Sequence, residues 1–141
     1  NTLAWFTIPD PHIHDFIARD HPVLYDIPLG FDTPAFISVM ADVMQDALAG
    51  HAATEIWLPA LSGVLARAAC TAFPHLPVHT VSAARHAGDT GRAIVHMAPE
   101  KFHRPALTPP PYPACPFSDA KVWQFAEKMA VSGAFIWNMS T

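Results

Sequence analysis

Apolar residues in this chain fall into two kinds of run, short β-branched or aromatic stretches and longer alanine-rich ones, with proline or glycine between them. The alternation is clearest from Thr54 to Ser82. Glu55-Ile56-Trp57-Leu58 is short and apolar enough to predict a strand, which Pro59 is expected to end. Ser62-Gly63 then opens Val64-Leu65-Ala66-Arg67-Ala68-Ala69-Cys70, too rich in alanine and too long for a strand. A buried helix is predicted over Gly63–Phe73, stopped by Pro74 and Pro77, and Val78-His79-Thr80-Val81 is β-branched enough to be the next strand. The unit reads as βαβ with parallel strands. Its Pro59–Gly63 loop then lies at the carboxyl edge of a sheet, facing a helix N-terminus, where backbone N–H groups converge.

The flanking pattern fits the same class. Leu3–Ile8 and His21–Ile27 are strand candidates, the second ended by Pro28 and Gly30. A helix is predicted next, capped by Asp32 or Thr33, with Pro34 in its first turn and Gly50 just past its end. Phe36, Met40, Val43 and Ala47 share one face, flanked by Ile37, Met44 and Leu48. A polar, glycine-punctuated loop, Ala83–Arg92, leads to a short apolar piece, Ala93–Met97. Pro99–Pro116 holds seven of the fifteen prolines and excludes regular structure. Ser118 is expected to cap a last helix with Val122, Phe125 or Ala126, and Met129 inward, before a strand-like run, Gly133–Met139. The expectation is an α/β fold, a central mainly parallel sheet with flanking helices and a proline-rich insert. It forms a single domain, 1–141: an N-terminal arm (1–31), a helix plus βαβ core (32–82), loops (83–117), and a helix and strand (118–141).

Composition narrows the function. At 141 residues, 51% apolar and only 14% charged, the chain is expected to cover part of its surface in a homodimer. A net charge of −4 gives no broad basic field for nucleic acid. No apolar run approaches the roughly 20 residues of a membrane span, and nothing resembles a signal peptide. Two cysteines make no disulfide framework, so a cytoplasmic location is expected. Asn1 is not an initiator methionine, which suggests that the natural start lies upstream.

Three constellations carry candidate chemistry. His12 and His14 in Asp10-Pro11-His12-Ile13-His14 point to one side of an extended chain, as metal pairs do, and resemble the opening signature of the amidohydrolases. Those enzymes need a barrel of about 250 residues, which this length does not build. A small histidine-dependent metal hydrolase stays open as a minor reading, beside that of scattered surface histidines. Cys70 reads as a buried inert thiol, and nothing near Cys115 in sequence activates it. Trp5, Trp57, Trp123 and Trp137 read as core. Pro59-Ala60-Leu61-Ser62-Gly63 is the candidate phosphate-binding loop, against a plain alternative in which Gly63 permits close packing and Ser62 is an ordinary N-cap. The chain has no GxxxxGK[ST] and no GxGxxG, which argues against a P-loop nucleotidase or a dinucleotide fold.

The order of elements around that loop resembles the type I phosphoribosyltransferases, nearest to the orotate branch. Pro22-Val23-Leu24-Tyr25-Asp26, a helix ending near Gly50, and Trp57-Leu58-Pro59-Ala60-Leu61-Ser62-Gly63-Val64-Leu65-Ala66 are similar to that branch's S-P-V-Y-I-D strand, helix and G-P-A-L-G-G-I-P-L-A pyrophosphate loop. Val78–Ser82 leading to Arg85-His86 matches its strand ending in Arg-Lys, with His86 in place of lysine. Ala87–Arg92 stands where the family has a mobile hood. The resemblance covers roughly residues 16 to 92. It implies that Pro59, Ala60, Leu61, Ser62, Gly63, Arg85, His86 and Arg92 bind phosphate, with Arg19 a further contact, and that Mg²⁺ serves if the chain is catalytic. Asn138, Ser140 and Thr141 take the place of the ribose-binding loop, without the family's two adjacent acids.

The implied function is binding of pyrophosphate, phosphoribosyl or nucleotide ligands, with transfer of ribose 5-phosphate to a nucleobase if active. Charge development at C1 and on the leaving group would be met by backbone N–H groups and hood cations rather than by a protein nucleophile. The missing acids make turnover by this chain poor or absent. They favour the rival reading, a non-catalytic nucleotide-sensing or assembly subunit on the same fold.

Overall fold

A computed structural model describes residues 27–83 and 87–139. The strand expected at Leu3–Ile8, all of the His21–Ile27 strand except Ile27, the His12–His14 pair, Trp5 and Arg19 lie outside the described residues. A short 3₁₀ turn, Leu29–Phe31, precedes α1 (Pro34–Ala47); then follow β1 (Glu55–Ala60), α2 (Val64–Ala72), β2 (Val78–Ser82), β3 (Ile94–Met97), α3 (Asp119–Met129) and β4 (Ala134–Ile136). The four strands form one sheet in the order β3-β2-β1-β4, and all three pairings are parallel. The α/β class and the parallel β1–β2 pair are as the pattern predicted. No helix or strand interrupts residues 98–118, the proline-rich stretch.

Every residue of β1 is buried, because the sheet is covered on both faces. On one side Ile56, Leu58 and Val78 pack against Ala41, Met44 and Leu48 of α1 and Ala66, Ala68, Ala69 and Ala72 of α2. On the other, Trp57 and Val81 meet Val122 and Ala126 of α3. The alanines of α2 let the two helices of the first layer approach closely, and Gln45 Nε2 donates to Ala72 O (2.8 Å) across that seam.

Four expectations are corrected. Pro59 does not end β1, which runs on to Ala60. Trp137 N–H donates to Trp57 O, so odd-numbered residues of β1 turn their backbone groups toward β4. Pro59's missing N–H therefore falls beyond the last β4 pairing, Trp57 with Ile136, where no ladder bond is lost. In α1, Thr33 is the cap, its Oγ1 accepting from Phe36 N–H at 3.1 Å, and Pro34 opens the helix. The buried stripe is Ala41, Met44 and Leu48; Val43 (46%) and Ala47 are exposed. The helix carries two adjacent apolar stripes, and the one nearer the small residues of α2 is buried. Met129 is exposed at 53%, since only Val122 and Ala126 lie flat on the sheet. The last strand is three residues rather than seven.

Candidate functional site

Helices that run back antiparallel to their strands bring the N-termini of α1, α2 and α3 to the carboxyl edge of the sheet. In the order β3-β2-β1-β4 the chain turns outward in both directions from β1, so the crevice between β1 and β4 is the topological switch point, where α/β sheets bind ligands. The predicted loop lies there. Ala60 is still strand and buried; Leu61 is exposed and Ser62 partly so. The N-cap of α2 is Gly63, not Ser62. It is left-handed (φ 84°), and no side chain caps it. The first-turn amides of a nine-residue helix thus start without a side-chain acceptor.

Other glycines show how closely this loop is enclosed. Gly88 N–H donates to Leu61 O (2.9 Å) and Ala83 N–H to Ala60 O (3.3 Å). A Cβ on Gly63 would overlap the Asp89 carbonyl, one on Gly88 the Ser62 carbonyl, and one on Gly30 the Ser62 hydroxyl. The hood segment 87–90 and the Gly30 turn therefore close on the loop from two sides, the hood backbone against backbone and the Gly30 turn against the Ser62 side chain. The phosphate approach expected at Gly63 is filled here by Asp89's carbonyl group.

The electrostatics are divided. Arg67, in the second turn of α2, pairs with Asp32 through Nη2 and lies 3.8 Å from Asp89 Oδ2 through Nη1. Its Nε is buried without a hydrogen bond. Asp89 is mostly exposed, and its Oδ1 accepts from Gly91 N–H (2.9 Å). Two carboxylates thus meet the Arg67 guanidinium.

Of the other predicted residues, Arg92 and Asn138 are described. Arg92 donates to Leu76 O (3.0 Å) and Phe73 O (2.6 Å), clamping the carboxyl end of α2 rather than its N-terminus. Nine helical residues, about 13 Å, separate the two ends. Asn138 lies just beyond β4, its Nδ2 donating to Pro113 O (2.8 Å), its Oδ1 buried without a partner. Arg85, His86, Ser140 and Thr141 lie outside the described residues.

A polar cluster unforeseen in the sequence surrounds the start of α3. Asp119 is buried (4%); its Oδ1 accepts from Met139 N–H (2.8 Å) and its Oδ2 from the Ser118 hydroxyl (2.8 Å), so Ser118 holds the expected N-cap position while its side chain serves Asp119 rather than a helix amide. Burial, and then the charge of Asp119, raise the Tyr112 phenol, whose hydroxyl is buried without a partner. Cys115 is held below the usual thiol range, first by the neighbouring Ser118 side chain and then by the backbone of Phe117 and, more weakly, of Ser118. The activating group that sequence proximity hid is thus three residues away, brought back by the turn into α3. Cys70 is partly rather than fully buried, and that burial pushes its thiol up.

Among the described residues no three His, Cys, Asp or Glu side chains gather closely enough to hold a metal ion. Asp32 and Asp89 face Arg67, so these two described acids do not fit a protein-held Mg²⁺. No described helix is long and apolar enough to cross a membrane. No family model, curated protein or solved structure matches the chain.

Proposed function

We propose that this protein binds phosphorylated small molecules, pyrophosphate or a nucleotide phosphate, over the carboxyl edge of β1, as a phosphoribosyltransferase-like module that binds rather than turns over. The observation that carries this reading is the start of α2: a left-handed Gly63 with no side-chain cap, at the switch point of a parallel sheet, under a glycine-containing loop. Anions favour such a helix end through its free amides and dipole. The hood acts as a gate. Its Asp89 carbonyl group occupies the approach, and its carboxylate stands near Arg67 as an internal substitute for the ligand's charge. A phosphate entering the loop displaces residues 88–89 and takes over Arg67.

Binding without turnover is favoured by Asn138. Its amide is engaged with the proline-rich loop, and it brings no negative charge to a cationic sugar. Any Mg²⁺ would arrive on the ligand's own phosphate oxygens.

The test is calorimetric titration of pyrophosphate into the wild-type chain and Asp89→Asn. Removing a like charge on an exposed side chain is worth up to about 1 kcal/mol, so Asp89→Asn is expected to bind up to about fivefold more tightly. Incubation with the phosphoribosyl donor and orotate, uracil or purines should yield no nucleotide. Absence of binding by either protein, or identical affinities, would reject the gated site; robust nucleotide formation would reject the non-catalytic reading.

A further inference from the structure

On the α3 face of the sheet, away from the carboxyl edge, three rings from three neighbouring strands lie nearly parallel. Trp57 (β1) stacks on His79 (β2) at 4.3 Å between centroids and 9° between planes. His96 (β3) lies 5.4 Å and 15° from His79, and 5.2 Å from Trp57. His79 Nδ1 and His96 Nε2 are 3.1 Å apart, a hydrogen bond between ring nitrogens. That bond holds one proton between its two atoms: one nitrogen donates and the other must keep its lone pair.

Among the described residues the other groups around the pair are few. From β1, buried Glu55 places Oε2 3.7 Å from His79 Nε2, while its Oε1 accepts from Trp57 Nε1–H (2.6 Å) and Val131 N–H (3.1 Å). From α3 the contact is Phe125, whose ring lies 5.4 Å from His96. The ionisable side chains of α3 are placed elsewhere: Lys121 donates to Lys101 O, Asp119 accepts from Met139 N–H, and Glu127 and Lys128 are exposed. From β4, Ala134 and Ile136 pack on this layer without a titratable group. One positive charge on the pair therefore has a carboxylate and an indole face beside it. A second has neither a free acceptor nor a counter-charge among the described residues.

We propose that the His79–His96 pair is a proton-operated clasp that fastens β3 to the sheet and releases it in mild acid. With both rings as imidazolium, two N–H donors face each other at hydrogen-bond distance, and the contact must open. β3 is the element that yields. It is four residues long, pairs with β2 alone among the described strands, and has Ile94, Val95 and Met97 exposed at 42–50%. Trp57 and His79 sit in strands fixed on both sides.

The direction of the pH dependence follows from His96. Burial, and then the charge of His79, hold it below imidazole's ordinary 6.5. A base held low in the folded chain is proton-poor there and proton-rich when released. Its contribution is complete above about pH 6.5 and is lost as the pH falls from there through the folded value.

Hydrogen exchange of backbone amides, corrected for the intrinsic rate, tests the clasp at pH 7.5 and 5.0. Protection at residues 94–97 should fall about tenfold or more in the wild type, while residues 56–60 of β1 change little. His96→Phe keeps a ring against Trp57 and Phe125 but does not titrate, and should make β3 protection independent of pH. Should that variant not fold, the imidazole nitrogens of the wild type give the same answer by NMR: the shared-proton signature between His79 and His96 should vanish over the interval in which β3 opens. Equal β3 protection at both pH values, a parallel fall in β1, an unchanged fall in His96→Phe, or a shared proton that persists at pH 5.0 would each overturn the proposal.

Discussion

Replacing Gly63 by alanine probes the packing of the hood, and Gly50 provides an internal reference. Both glycines are left-handed, with φ of 84° and 82°. Alanine therefore pays the same backbone strain at either position, roughly 1 kcal/mol. The surroundings differ. A Cβ on Gly50 meets nothing within 4 Å, whereas one on Gly63 overlaps the Asp89 carbonyl and comes within 3.2 Å of Gly88 C. Backbone cannot step aside by changing rotamer, so segment 88–89 must shift. That shift breaks the Gly88 N–H to Leu61 O bond (2.9 Å), worth about 1 kcal/mol net, and removes contacts beneath it. Gly63→Ala should thus lose about 2–4 kcal/mol, Gly50→Ala only about 1. In urea unfolding followed by far-UV circular dichroism, the midpoint should fall further for Gly63→Ala at an unchanged slope. At this chain length each kcal/mol corresponds to roughly 3–4 °C of melting temperature. Equal losses in the two variants would refute the claim that the hood rests on the α2 N-terminus, and with it the gate. The experiment also separates two meanings of the same glycine: a cradle for phosphate leaves open space, while a closed gate does not.

Three further outcomes are expected. Ala69→Leu, at a fully buried position between α2 and its layer, should cost about 1–3 kcal/mol by overpacking, measured as a loss in urea midpoint. Cys115 should react with a thiol reagent faster than Cys70 at pH 7.5, and Ser118→Ala should slow it, because Ser118 lowers the Cys115 thiol whereas burial raises that of Cys70; equal rates at the two thiols contradict this. Asp32→Asn, which breaks a half-exposed ion pair with Arg67, should cost no more than about 1 kcal/mol, and a larger loss would show that the pair fixes the Gly30 turn as well.

The βαβ core was readable because its signals are local. The alanine run that forms α2, the prolines that stop it and the β-branched run of β2 each act within a few residues, and the parallel pairing follows from the connecting helix. Thr33 and Pro34 likewise announce α1. Pro59 was misread because its cost depends on what lies beside it, and the shortness of β4 cannot be seen from β1. The buried face of α1 was misassigned for a similar reason: two apolar stripes are present, and the alanines of a different helix decide between them. At the site, the loop's position at the carboxyl edge was legible, but its closure was not. That closure depends on Gly63 and Gly88, whose surroundings are backbone, and on Gly30, which comes against the Ser62 side chain, and the three lie far apart in sequence. The resemblance groups Arg92 with the phosphate-binding loop, whereas its guanidinium reaches the carbonyls of Phe73 and Leu76 at the other end of α2, a placement that order along the chain does not reveal. The Glu55–His79–His96 arrangement gave no motif at all, since its members come one from each of three strands.

The most direct test of the central claim is a titration of the ¹⁵N-labelled chain with pyrophosphate, followed by amide NMR at pH 7.5. Binding over the carboxyl edge of β1 predicts saturable shifts at residues 61–66 and 87–90, with β3 and the carboxyl end of α2 at Phe73–Leu76 unmoved. Shifts confined to any other part of the chain, or none at millimolar pyrophosphate, would contradict it.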